Sequence, residues 1–190
     1  MSSPQRKVWL DPASLADEGD ISEIGGNLPD HIKQQSLNVY LNMGVSTPSR
    51  FGYKLGRSVK WIEYSIHKNT ERNGRAEAIT LGEIVVTEDM LNGANTFHGA
   101  CLAYLIDICG NGSVVIFGLD RGLITTGISQ SLNVTFHSPA HLGDCLRIKS
   151  ACFGVGKRIR TAKCEIYEKE SGRMICSGLL TTMEPDVSRL

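Results

Sequence analysis

The run from about 98 to 117 limits what this chain can fold into more than any other part of it. Leu102, Leu105, Ile106 and Cys109 lie at i, i+3, i+4 and i+7, and further apolar residues fill the rest of the circumference. A helix that is apolar on most sides has no broad face to offer water, so other elements must enclose it. Gly110 and Gly112 weaken its middle but permit a close backbone approach there. Asp107 is the one acid in the apolar stretch 102–108. A carboxylate buried without partners is expensive, so Asp107 needs an explanation. It is a candidate general base for water, a candidate nucleophile, or a core acid satisfied by a backbone or hydroxyl group.

The remaining periodicities supply the enclosure. From Val59 onward the period is two: Ile62, Tyr64 and Ile66 alternate with Glu63, Ser65 and His67, as in a strand. Asn73-Gly74 is a hairpin turn, and 76–86 is the second strand. After Arg121-Gly122, Ile124, Ile128, Leu132, Val134 and Phe136 point one way while Thr125, Ser129, Ser131, Asn133, Thr135 and His137 point the other. Ser138-Pro139 ends that strand, and three more follow over about 144–153, 158–168 and 174–183. Short links between them demand antiparallel pairing. The class is therefore α+β, a curved antiparallel sheet wrapped around a central helix.

Residues 1–58 stand apart as an N-terminal extension, with 59–190 as the main domain. Residues 1–27 are polar and aperiodic and read as a loose arm. Ile32, Val39, Tyr40 and Met43 recur near helical spacing, and Pro29 and Gly44 bracket an amphipathic helix over about 29–44. That helix is a candidate lid over the site or a packing arm. Thr47-Pro48-Ser49 breaks the chain after it.

Charge and composition narrow the functions. The 20 basic and 20 acidic residues cancel, with no long basic run, so nothing points to nucleic acid. Residues 1–30 carry a net −4 and the rest +4, a mildly basic body suited to an anionic small molecule. No stretch approaches the ~18 apolar residues of a membrane span. The N-terminus lacks a secretory core and is too acidic for a presequence, so the cytoplasm is the default, with the mitochondrion left open. None of the six cysteines forms a C-x-x-C pair, so they read as small buried hydrophobes rather than disulfide or zinc partners. His137 and His141 are four apart, but Pro139 between them breaks any helix that would make them a metal pair. No metal and no bound cofactor is expected. Arg160 and Lys163 read as a solvated strand edge, while Lys157 and Arg158 after Gly156 read equally as phosphate ligands.

The helix mouth supplies the complementary chemistry. Gly99 leaves its N–H unshielded at the positive end of the helix dipole, where it can stabilise a growing oxyanion. His98 and Asp107 are nine residues apart, which on one helix is ~180° around and ~13 Å along. One helix cannot aim both at one small substrate. Two helices lying antiparallel across a two-fold axis can, so the spacing favours a site shared between subunits.

Asn92, His98-Gly99 and Asp107 form an N-x5-H-G-x8-D pattern that resembles hotdog-fold acyl-CoA thioesterases of the phenylacetyl-CoA thioesterase and thioesterase superfamily member 2 type. The resemblance continues through Gly127-Ile128-Ser129, the run from Asn133 to Ala140, Leu142-Gly143-Asp144, Gly156-Lys157 and Ser171-Gly172-Arg173, covering about 59–183. It implies a hotdog fold and hydrolysis of a medium- or long-chain fatty or aryl acyl-CoA to free acid and CoA. It implies Asp107 as base or nucleophile, the Gly99 N–H on the thioester carbonyl, and Asn92 holding that carbonyl or the lytic water. His98 would fix the loop, and Ser129 would orient water beside Asp107. CoA would lie along Phe136, His137, Ser138, Pro139 and His141, with Gly156, Lys157 and Arg158 near its phosphates. A homodimer is implied, and a tetramer of paired dimers follows from resemblance alone. Ala100 replaces the usual second glycine, which tightens an acyl tunnel. Ser131 and Met183 stand where relatives carry an aspartate and a histidine, which touches nucleotide contacts more than chemistry. A hydratase would need a histidine five residues after Asp107, where Gly112 stands. A non-catalytic acyl-CoA-binding protein of the same fold is the alternative.

Overall fold

A computed structural model of the chain describes residues 9–156 and 158–184. Helix α3 (Gly99–Leu119) runs along the inner face of six strands: β1 (Lys60–Asn69), β2 (Arg75–Val85), β3 (Ile128–Phe136), β4 (Cys145–Val155), β5 (Ile159–Glu168) and β6 (Met174–Met183). Their order across the sheet is β1-β2-β4-β5-β6-β3, antiparallel at every step. β3 thus crosses to the far side of β6 and becomes an edge. The expected α+β architecture, a curved antiparallel sheet around a central helix with an extra N-terminal helix, is the one observed.

Apolar burial drives the arrangement. Leu105, Ile106, Cys109 and Ile116 of α3 share one buried cluster with Leu146, Ile148 and Ile166 of β4 and β5. Full burial of each leucine or isoleucine among them contributes ~1.5–3 kcal/mol. Contrary to expectation, α3 is long and apolar enough to cross a membrane by length and composition, but most of it is buried against its own sheet. Cys109, Cys152, Cys164 and Cys176 are buried, and burial pushes the thiols of Cys152 and Cys176 up to about 11 and that of Cys164 to about 12.

The segment before β1 is packed rather than loose. Ile24 and Leu28 are buried. The Gly25 N–H donates to the Ile62 carbonyl at 2.8 Å, and the Thr126 hydroxyl donates to the Leu10 carbonyl at 2.6 Å. Helix α1 (Asp30–Tyr40) starts directly after Pro29 and continues as a π turn over Leu41–Val45, close to the expected span. Tyr40 sets its ring edge-on against Trp61 at 5.0 Å and donates to the Gly56 carbonyl at 2.7 Å. A short helix, α2 (Tyr53–Arg57), links this layer to β1.

Two bulges rewrite the alternation read from sequence. The β1–β2 register shifts between Trp61 and Glu63, so Trp61 and Tyr64 are buried while Ile62 is only half-buried. The β3–β6 register shifts between Ser129 and Ser131. Residues paired across a sheet share a face, so Ser129, opposite buried Thr182, is on the helix-facing side with Leu132, which pairs with buried Leu180, although Ser129 itself remains exposed at the sheet edge. The expected outward placement of Ser129 is corrected by this one extra residue. Thr125 is also inward, with its hydroxyl donating to the Val114 carbonyl at 2.9 Å. Arg160 is buried, not a solvated edge: β5 is an inner strand, and the guanidinium donates to the Thr125 carbonyl at 3.2 Å and pairs with Glu184 at 3.4 Å. Lys163 is exposed and pairs with Glu165 at 2.6 Å.

Gly178 of β6 sets how closely α3 can approach. A Cβ there would lie 2.7 Å from Ile106 Cγ2 and 3.0 Å from the Asn133 carbonyl oxygen. Gly178→Ala should lower unfolding free energy by ~1–3 kcal/mol through overpacking, read as a lower midpoint in chemical denaturation with an unchanged m-value.

Candidate functional site

The sheet covers α3 incompletely. Ala100, Ala103, Tyr104, Asp107 and Asn111 form the stripe of the helix that stays exposed or half-buried. This stripe runs between the edge strand β3 on one flank and residues 51–52 on the other. The Phe51 ring meets Tyr104 edge-on at 5.6 Å, and the Tyr104 hydroxyl is pushed up by burial, with Cys109 and Asp107 adding to the shift.

Asp107 is therefore half-buried rather than fully enclosed, because it sits on the one stripe the sheet leaves open. Its Oδ1 accepts a hydrogen bond from the Ser129 hydroxyl at 2.6 Å. The Asn111 amide donates to its backbone carbonyl at 3.3 Å. A hydroxyl donor of this kind holds a carboxylate in one rotamer while leaving lone pairs for another partner.

The mouth of α3 is at the opposite end of β3. Phe136 packs there, its ring 3.3 Å from where a Gly99 Cβ would lie. Gly99 is the first residue of α3, and among the described residues no acceptor meets its N–H. His98 is the N-cap: its Nδ1 accepts from the Ala100 N–H at 2.9 Å, which places the ring proton on Nε2. The backbone N–H of His98 donates to the Met90 carbonyl at 2.9 Å, which anchors the loop before the helix.

The Asn92 side chain is engaged inside its own loop. Its Oδ1 accepts from the Ala94 N–H at 2.9 Å and the Thr96 N–H at 3.2 Å, while its amide donates to the Thr96 hydroxyl at 2.9 Å. It shapes the approach to the helix and points its polar atoms at Thr96, not at Asp107. The Phe97 N–H donates to the Ala140 carbonyl at 2.8 Å, which brings the 136–141 turn against this loop. Asn92, Asn95, His141 and Leu142 line a cavity of about 460 Å³ between them. His137 pairs its Nε2 with the Ser177 hydroxyl at 2.8 Å, the Ser138 hydroxyl donates to the Met174 carbonyl, and the Pro139 carbonyl accepts from Arg173.

The expected CoA-binding residues do not converge within one chain. Ile159 lies across from Met183, and Met183 across from Ile128, so the turn holding Gly156 and Arg158 is at the Ser129 end of β3. The turn holding His137, Ser138, Pro139 and His141 is at the Phe136 end, ~26 Å away at ~3.3 Å per residue. Ser131 lies between them, exposed on β3. Lys157 lies outside the described residues. The Gly99 N–H and Asp107 are likewise ~12 Å apart along the helix axis and ~80° around it. Sequence reasoning missed Phe51, Tyr53 and Leu55, which line a cavity of about 510 Å³ with His98, Ala100 and Tyr104. Phe51 directly after Thr47-Pro48-Ser49-Arg50 shows in the sequence only as an aromatic in a break, which does not reveal the contact it makes.

Comparison with known proteins matches residues 94–175 to the family model described as Thioesterase superfamily. The chain is 29% identical over 96 residues to human acyl-coenzyme A thioesterase 13, an alignment covering 50% of this chain and 66% of that one, just under two thirds. Its fold is similar to the crystal structure of zebra fish thioesterase superfamily member 2, with a TM-score of 0.63 at 20% identity, covering 77% of this chain and 94% of that one. The PaaI protein from the phenylacetic acid degradation operon of E. coli is also similar in fold, with a TM-score of 0.59 at 17% identity, covering 82% of this chain and 100% of that one.

The His98 cap generates a stability test independent of any activity. His98→Ala should cost ~1 kcal/mol, seen as a lower denaturation midpoint, whereas His98→Asn should recover most of it because its side-chain oxygen can accept the same N–H.

Proposed function

We propose, from the premise that residues 94–175 form a thioesterase superfamily domain, that this chain is an acyl-CoA thioesterase whose active sites are each shared between two copies of it. One observation carries the reading. A hydroxyl-held carboxylate and a free helix-mouth N–H lie along the same uncovered strip, the first at mid-helix beside the Ser129 end of β3 and the second at the mouth of α3 beside Phe136. Neither reaches the other within a chain. Antiparallel apposition of two strips about a two-fold axis sets Asp107 of one copy beside Gly99 of the other, twice over.

The same operation reunites the other halves. It brings the Gly156 and Arg158 turn of one copy to the turn of His137, Ser138, Pro139 and His141 of the other, a basic and imidazole-lined cleft suited to CoA phosphates. Among the described residues the outer edge of β3 is unpaired, and the strand carries Phe136 at 56% and Ile128 at 38% exposure, apolar area that a partner would cover.

At the shared site the Gly99 N–H and the helix dipole draw electron density onto the thioester oxygen. As a general base, Asp107 takes a proton from water whose oxygen attacks the acyl carbon. The tetrahedral intermediate then expels the CoA thiolate, which recovers the proton. As a nucleophile, Asp107 attacks the acyl carbon itself and expels the thiolate, and water then cleaves the mixed anhydride. Ser129 orients the carboxylate in either route. A single turnover in ¹⁸O-water tests for the second route: label in the Asp107 carboxylate arises only when water cleaves the anhydride at that carbon, whereas the base route labels the product acid alone.

Asp107→Asn should lower kcat by ~10²–10⁴ while acyl-CoA still binds in calorimetry; unchanged turnover would sink the reading, and the non-catalytic alternative predicts no turnover to lose. Gly99→Pro removes the one N–H at a helix position where proline is tolerated, and the preceding His98 already has an extended backbone at φ −64° and ψ 131°. It should lower kcat by ~10²–10³, whereas Gly99→Ala, which keeps the N–H, should retain most activity. Mixing the Asp107→Asn and Gly99→Pro proteins after partial unfolding should restore about a quarter of wild-type activity, since about half the dimers are mixed and each has one intact site. No recovery on mixing would place both groups in one chain.

A further inference from the structure

We infer that residues 48–55, with Phe51 foremost, form the wall that selects the acyl group; this rests on the acyl-CoA reading above. The cavity of about 510 Å³ is bounded on one side by this segment and on the other by the first turns of α3. Its size falls within the ~300–1,000 Å³ of small-molecule sites. Met90, Leu91, Cys101 and Leu55 make its interior apolar, while the charged residues on its lining, Arg50, Lys54 and Asp89, are all exposed and so belong to its mouth.

Continuity with the helix mouth decides what occupies it. His98 and Ala100, the residues on either side of Gly99, are part of its lining. A thioester oxygen on the Gly99 N–H therefore has two ways to send its substituents, and the apolar one leads here. The ligand class is an apolar acyl tail, alkyl or arylacetyl, not the nucleotide.

Phe51 is placed as a gate. Its ring is 86% exposed, which is unusual for an aromatic unless something apolar covers it in use. Gly52 holds it there: the backbone has φ +76°, and a Cβ would lie 2.3 Å from Tyr104 Cζ. Only glycine lets the chain lie this close over the tyrosine ring, so the segment is fixed to α3 while the Phe51 ring remains free to turn. Helix α1, the lid expected from sequence, lines a different cavity against Trp61. The selecting wall lies outside the family-matched 94–175 segment, so acyl preference here is set by the extension.

The test compares wild type, Phe51→Ala and Phe51→Trp across short, medium and long straight-chain acyl-CoAs and phenylacetyl-CoA, following CoA release with a thiol reagent. Removing the ring should shift the optimum to longer chains and enlarging it to shorter ones. The changes should be about tenfold or more in kcat/KM, the scale of one methylene in an apolar pocket, and should lie mainly in KM. Opposite shifts from two substitutions at an exposed position are not what a merely structural role gives. Superimposable profiles for the three proteins, with wild type active, would overturn the acyl-wall inference and leave the thioesterase reading intact. No release of CoA from any thioester by wild type would overturn both. Calorimetric binding of the same acyl-CoAs to Asp107→Asn proteins with and without Phe51→Ala gives an activity-independent reading of the length dependence.

Discussion

An apolar helix that must be enclosed, and is not quite enclosed, governs this structure. Burial of Leu105, Ile106, Cys109 and Ile116 beneath a curved sheet draws α3 onto the strands and into the close approach at Gly178. The sheet has only six strands to give, and its last one, β3, ends as an edge beside the helix. The strip from Ala100 to Asn111 is what remains uncovered. Polar chemistry is confined to that strip because it is the one place along α3 where a carboxylate retains access to water and partners.

The extension completes the strip from the other flank. Residues 9–28 and α1 are bonded to β1 and packed on the core, and the segment that follows lies over Tyr104. Two structural layers thus share the work around α3. The sheet fixes Asp107 through Ser129, and the extension shapes the space beside Tyr104. The tyrosine hydroxyl between these layers is buried and has no hydrogen-bond partner among the described residues. Such a group destabilises locally, which fits a surface between two layers better than the middle of a core.

Much of this was legible from side-chain order. The period of α3, the hairpin at Asn73-Gly74 and the strands of the C-terminal half follow from local chemistry that the tertiary structure does not override. The pairing of Ser129 with Asp107 was reached by resemblance, while the alternation itself pointed Ser129 the wrong way. A bulge adds one residue without changing composition, so no pattern of apolar and polar residues reveals it. Arg160 was misread for a related reason: its carbonyl partners at 124 and 125 come from a segment that looks like strand but runs as irregular chain. The loose reading failed over residues 9–27 because the buried residues there, Pro12 and Ile24, are too few and too far apart to make a period, and residues 1–8 lie outside the described residues. The cavity behind Phe51 depends on a left-handed glycine meeting a tyrosine 52 positions later, a contact with no sequence signature.

The bulge at Gln130 carries a consequence for how this strand tolerates change. With it, position 129 shares the inner face with Leu132 and Val134; without it, position 130 would take that place and a glutamine would face the helix. Composition could stay the same and the fold would still close, yet the hydroxyl beside Asp107 would turn to solvent. The register of residues 128–132 is therefore as binding as their identities. The same residues paired without that displacement would keep a sound core, with the Asp107 carboxylate set adrift.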